Sequence, residues 1–84
     1  MYYVYILKNE KYGKLYYGCT NNLRRRLKEH NEGKSYSTNI GSLWELRYYE
    51  AFYSKEDAFS REQKLKRNYR GLQELKKRIK GSIG

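Results

Sequence analysis

Residues 2–8 (YYVYILK) form a nearly unbroken apolar and aromatic run rich in β-branched and ring side chains, which predicts a strand. A polar stretch from Asn9 to Lys14, containing Gly13, predicts a turn before a second short strand opening at Leu15-Tyr16-Tyr17. Setting Tyr5 opposite Tyr16 would place Glu10-Lys11 at the tip, a poor two-residue hairpin sequence. A longer loop with a bulge at Gly13 fits better. Gly18 to Asn22 breaks the pattern and offers N-caps for a helix over 22–32, which Gly33 would close. Residues 34–42 are polar and glycine-punctuated, hence a loop. The segment 43–52 (LWELRYYEAF) holds a third strand, and Ser54-Lys55-Glu56-Asp57 reads as a capping box ahead of a helix over 55–67. Gly71 marks a break before a last basic helix over 71–80. The expected fold is α/β of the α+β type, a three-stranded antiparallel sheet flanked by helices in the order β-β-α-β-α-α.

The periodicity of the helices singles out charged residues on the inward side. At 100° per residue, Leu23 and Leu27 define the core-facing stripe of the first helix. His30 shares that stripe one turn on and Arg26 lies at its edge, whereas Arg24, Arg25 and Lys28 point outward. On the second helix Ala58, Leu65 and Tyr69 share a stripe, and Glu62 falls within it. A carboxylate on the core side is costly unless it is paired, hydrogen-bonded or bound to a metal. The plainer explanation is an Arg26–Glu62 salt bridge, or a bond from a tyrosine hydroxyl to Glu62. Places where local patterning fails also tend to mark functional sites.

Composition narrows the classes. The 84 residues leave room for one domain, spanning 1–84, and its small core draws on large rings: eleven tyrosines with Trp44, Phe52 and Phe59. A formal net charge of +10 attracts polyanions, nucleic acid first among them. An amphipathic membrane-surface role for 61–80 is the competing idea, but Leu65, Leu72, Leu75 and Ile79 look spent on packing. The single cysteine, Cys19, excludes an internal disulfide and fits a reducing compartment. MYYVYIL is too short for a signal sequence and no run reaches the length of a membrane span, so a cytoplasmic protein, monomeric or weakly oligomeric, is expected.

With those features set out, the segments Tyr3-Val4-Tyr5-Ile6-Leu7, Leu15 to Leu23 and Arg26 to Asn31 resemble the first half of a GIY-YIG nuclease domain. The resemblance is closest to small stand-alone bacterial members related to the nuclease subunit of nucleotide excision repair. The run 58–66 (AFSREQKLK) resembles their second-helix pattern of alanine, glutamate and leucine-lysine. Four motifs in order, over most of the chain, carry the likeness. Tyr3 stands where the first triplet usually has glycine, and Tyr17 where the second has isoleucine. No position clearly matches the asparagine that some members place beyond the glutamate, and Asn68 is not assigned that role.

The resemblance implies hydrolysis of DNA phosphodiesters with a divalent cation, Mg²⁺ or Mn²⁺. Tyr5 and Tyr16 take the tyrosines of the two triplets, Arg26 the helix arginine, His30 the histidine one turn later and Glu62 the metal-binding glutamate. In that scheme Arg26 stabilises phosphoryl charge, Tyr16 orients phosphate or water, and either Tyr5 or His30 takes the proton from water. Arg24, Arg25, Lys28, Lys64, Lys66 and Arg67 are the candidate phosphate contacts. One rival is a nucleic-acid-binding module on the same fold that does not cut. Another is a basic protein that docks on an acidic partner.

Overall fold

The computed structural model describes residues 1–33, 43–67 and 70–84. The loop expected over 34–42, Tyr69 of the second-helix stripe and Asn68 lie outside the described residues. Three strands, β1 (Tyr2–Asn9), β2 (Leu15–Thr20) and β3 (Trp44–Phe52), form an antiparallel sheet in the order β2-β1-β3. Helix α1 (Leu23–Asn31) follows β2, and α2 (Lys55–Lys66), α3 (Arg70–Arg78) and the short α4 (Lys80–Ile83) follow β3. The order is therefore the expected one with a final helical turn added.

Local chemistry explains most boundaries. Asn22 caps α1 by accepting from the Arg25 amide at 3.0 Å, and Ser54 caps α2 by accepting from the Asp57 amide at 3.2 Å. Gly33 holds φ at 75° just past α1, the left-handed conformation expected at C′. In the β1–β2 connection Gly13 holds φ at 68° and its amide donates to the Asn9 carbonyl at 2.9 Å. The buried Asn9 side chain accepts from the Tyr12 amide at 2.7 Å and donates to the Leu43 carbonyl, joining the hairpin loop to the start of β3.

Two expectations need correction. The second strand does not break at Gly18, because the β1 ladder continues through Tyr3 paired with Thr20. Phe59 contributes nothing to the core, since it is 55% exposed. The expected separation of the last helices is present, with α2 ending at Lys66 and α3 starting at Arg70, one residue ahead of Gly71.

The sheet separates two clusters. Val4 and Ile6 face α2 and α3, where Ala58, Leu65, Leu72 and Leu75 complete an aliphatic core. Tyr5 and Leu7 face α1 and pack with Trp44, Tyr16, Leu23, Leu27 and Leu46. A bulge in the β1–β3 ladder, between Ile6/Tyr48 and Leu7/Leu46, leaves Arg47 as the extra residue of β3. Trp44 and Leu46 therefore face α1, while Tyr48 and Phe52 beyond the bulge face α2.

Candidate active site

β1 and β2 build the floor of the site by pairing Tyr5 with Gly18 and Leu7 with Tyr16. Tyr5 lies across Gly18 so closely that a Cβ there would collide with the Tyr5 hydroxyl and ring. Glycine at this position is thus a requirement of the Tyr5 rotamer. α1 then brings His30, 1% exposed, over the two tyrosines. Its ring meets Tyr16 edge-on at a centroid distance of 4.8 Å, and its Nε2 lies 2.9 Å from the Tyr5 hydroxyl.

The electrostatics keep both partners of that hydrogen bond uncharged. Burial, with Arg26 beside it, lowers His30 to a pKa of about 4, so the ring is neutral near pH 7. Burial raises Tyr5 to about 12 despite the opposing guanidinium of Arg26, so the phenol keeps its proton. The phenol donates to Nε2 in the tautomer that carries its proton on Nδ1 and accepts from Nε2 in the other. Arg26 is itself held more firmly protonated: burial disfavours its charge, but the Tyr5 hydroxyl and Glu29 more than compensate.

Arg26 and Glu62 both line one open cleft of about 580 Å³ at the edge of the sheet, where β2 runs into Asn21. Arg26 arrives from α1 and Glu62 from α2. The proposed Arg26–Glu62 bridge is not the pairing found. Arg26 pairs with Glu29 at 3.2 Å, and Glu62, 8% exposed, pairs with Lys66 at 3.1 Å one turn along α2. Each charge is compensated on its own helix, so the two remain on separate walls of the cleft. Arg25 also lines it, while Arg24, Lys28, Lys64 and Arg67 are exposed but do not line it. Lys66, expected as a phosphate contact, is occupied by Glu62.

Seven further residues line the cleft: Cys19, Thr20 and Asn21 at the end of β2, with Tyr2, Glu29, Lys55 and Phe59. Lys55, Phe59, Glu62 and Lys66 follow the i, i+4, i+7, i+11 spacing of one helix face, a pattern distinct from that of inward-facing charge. Behind the cleft, Arg61 clamps Glu50 of β3 with two hydrogen bonds of 2.9 and 3.0 Å, and the Tyr48 hydroxyl adds a third at 2.7 Å. Burial alone would raise Glu50; these bonds bring its carboxyl below the usual value. The clamp fixes α2 on the sheet one residue before Glu62.

Residues 1–79 match the GIY-YIG catalytic domain. The chain belongs to the GIY-YIG family. Its relatives include a UPF0213 protein of Clostridium perfringens, 47% identical over 69 residues that cover 80% of this chain and 72% of that protein. A UPF0213 protein of Streptococcus pneumoniae is 41% identical over 73 residues, 86% of this chain and 73% of its own length. A third, from Bacillus pumilus, is 41% identical over 66 residues, 77% and 66% of the two chains. No solved structure matches the chain. As a GIY-YIG domain it is endonuclease-like. Among its described residues no helix is long and apolar enough to cross a membrane.

Proposed function

We propose that this GIY-YIG domain hydrolyses phosphodiester bonds in DNA with a divalent cation, in the cytoplasm. The observation that carries the reading is the convergence of Arg26 and Glu62, from helices on opposite sides of the sheet, on one cleft beside the Tyr5–His30 pair.

Glu62 is the residue that would hold Mg²⁺ or Mn²⁺. Among the described residues no group of three or more His, Cys, Asp and Glu side chains gathers into an all-protein cage. A nearly buried carboxylate opening on a solvent-filled cleft suits a hard cation that keeps waters and takes a substrate phosphate as ligand. Bound there, the cation supplies Lewis-acid polarisation of a water and counter-charge for the phosphoryl oxygens. Lys66 then loses its partner and becomes free to meet phosphate.

Arg26 receives the phosphate through its guanidinium and stabilises the charge that develops on it. That contact acts on both partners behind it, because the Arg26 charge helps hold His30 low, after burial, and also lowers Tyr5. In this reading the Tyr5 oxygen takes a proton from water as it passes its own to Nε2 of His30 in the Nδ1–H tautomer. The two candidates for general base thus act in series, Tyr5 toward water and His30 behind it. Tyr16, stacked edge-on against His30, keeps the imidazole in place.

The test uses branched, single-stranded and duplex DNA with Mg²⁺, Mn²⁺ or chelator. Metal-dependent cleavage is expected, falling about 10²–10³-fold in Arg26→Ala and Glu62→Gln. Binding without cutting under any metal would overturn the nuclease reading in favour of a non-catalytic nucleic-acid module. That second reading draws on one observation, the compensation of Glu62 by Lys66.

A further inference from the structure

Phe59 is the one large apolar side chain in the charged face that α2 turns to the cleft, between Lys55 and Glu62. It is 55% exposed, and the aliphatic core is complete without it. Tyr2 reaches the same cleft from β1, and Arg25 and Arg26 reach it from α1. Aromatic rings interleaved with cations along a groove are the features by which proteins hold single-stranded nucleic acid.

We propose that Phe59 is a stacking platform for an unpaired base of the DNA strand whose phosphate lies between Arg26 and Glu62, with Lys55 and Arg25 on the neighbouring phosphates. The nucleic-acid identity of this ligand rests on the nuclease reading above; the geometry of the ring does not. Phe59 sits one helical turn from Glu62, so a base stacked on it belongs to a nucleotide beside the reacting phosphate. Inside a duplex both faces of a base are covered by its neighbours, and a ring on a helix surface cannot reach them. Only a single strand, a flap, a bubble or a frayed end offers a free face. Stacking reads no hydrogen-bond pattern, so the preference is for strand state over sequence.

The experiment measures binding by anisotropy in chelator and at one salt concentration, using a labelled oligothymidine strand and a blunt-ended mixed-sequence duplex of equal length. Phe59→Leu keeps apolar bulk and loses the π face, and is expected to weaken single-strand binding about tenfold while duplex binding moves less than about twofold. Phe59→Tyr is expected to retain the wild-type ratio. Tyr53→Ala serves as the control, because Tyr53 is 92% exposed yet does not line the cleft. An unchanged ratio of the two affinities in Phe59→Leu, or an equal loss in Tyr53→Ala, overturns the proposal. Absence of cleavage by the wild type with metal would sink the nuclease reading and leave this readout untouched.

Discussion

The two faces of one strand divide the labour of this molecule. Val4 and Ile6 point into an aliphatic core closed by α2 and α3, whereas Tyr5, between them in sequence, points into a ring cluster under α1 with a buried histidine. The aliphatic side gains stability from area removed from water and asks little of geometry. The aromatic side buries groups that must be hydrogen-bonded to be tolerated, and so fixes their orientation. The difference teaches where chemistry can be placed in a small domain: on the face whose polar groups are already positioned. Glu62 is the exception that joins the two. It belongs to the aliphatic side by helix stripe and to the cleft by position.

Four variants or conditions press on this division. The largest effect belongs to Ile6→Ala, expected to cost about 2–5 kcal/mol in denaturant unfolding while cleavage per folded molecule stays within a few-fold. A collapse of the rate in the folded fraction would show that the two faces are not separable. Gly18→Ala is next, at about 1–3 kcal/mol, because the new methyl meets the Tyr5 ring. Here the rate should fall with the stability, since the displaced group is Tyr5. Gly18→Ala with full activity would remove Tyr5 from the mechanism.

On the aromatic side acid acts through His30. Its folded pKa of about 4 lies below the ordinary value of 6.5, so the unfolded chain binds a proton that the folded one refuses. Stability from this group is full above about pH 6.5 and is lost as the pH falls toward 4, about 2 kcal/mol by pH 5. Melting temperatures of wild type and His30→Gln across that range should diverge accordingly, and parallel curves would refute the buried neutral imidazole. The smallest effect on folding is expected from Lys66→Ala, about 1 kcal/mol, because Lys66 is half in water while the Glu62 it leaves unpaired is nearly buried. The same change should lower the metal concentration that gives half-maximal cleavage, since the ammonium no longer competes for Glu62.

Periodicity carried much of the fold into view. The inward stripe of Leu23, Leu27 and His30, and the placing of Glu62 among Ala58 and Leu65, follow from the angle per residue alone. Caps at Asn22 and Ser54 were equally legible, because a side-chain acceptor three residues ahead of an amide is a local property. What escaped depends on contacts between distant segments. Gly18 looks like a strand breaker until Tyr5 is laid across it. Gly71 falls at the start of α3, within one residue of the break read from it, because Leu72 and Leu75 pack the helix that follows into the core. The partners of Arg26 and Glu62 were misassigned because two inward charges of opposite sign invite a mutual bridge, whereas each lies within reach of its own helix neighbour. Asn31, exposed and unremarkable in sequence, accepts from the Trp44 amide at 2.7 Å and donates to its carbonyl, fastening α1 to β3.

The extra residue at Arg47 has an implication for how this chain can change. A strand is a wave of period two, and the bulge shifts its phase midway. Deleting Arg47 would make Leu46 and Tyr48 neighbours opposite Leu7 and Ile6, so each half of the strand would keep its present face and only the bulge would be lost. Substitutions along β3 can therefore accumulate independently before and after that point. The loss of one residue there can be absorbed, whereas the loss of a second would turn one half of the strand to the wrong cluster.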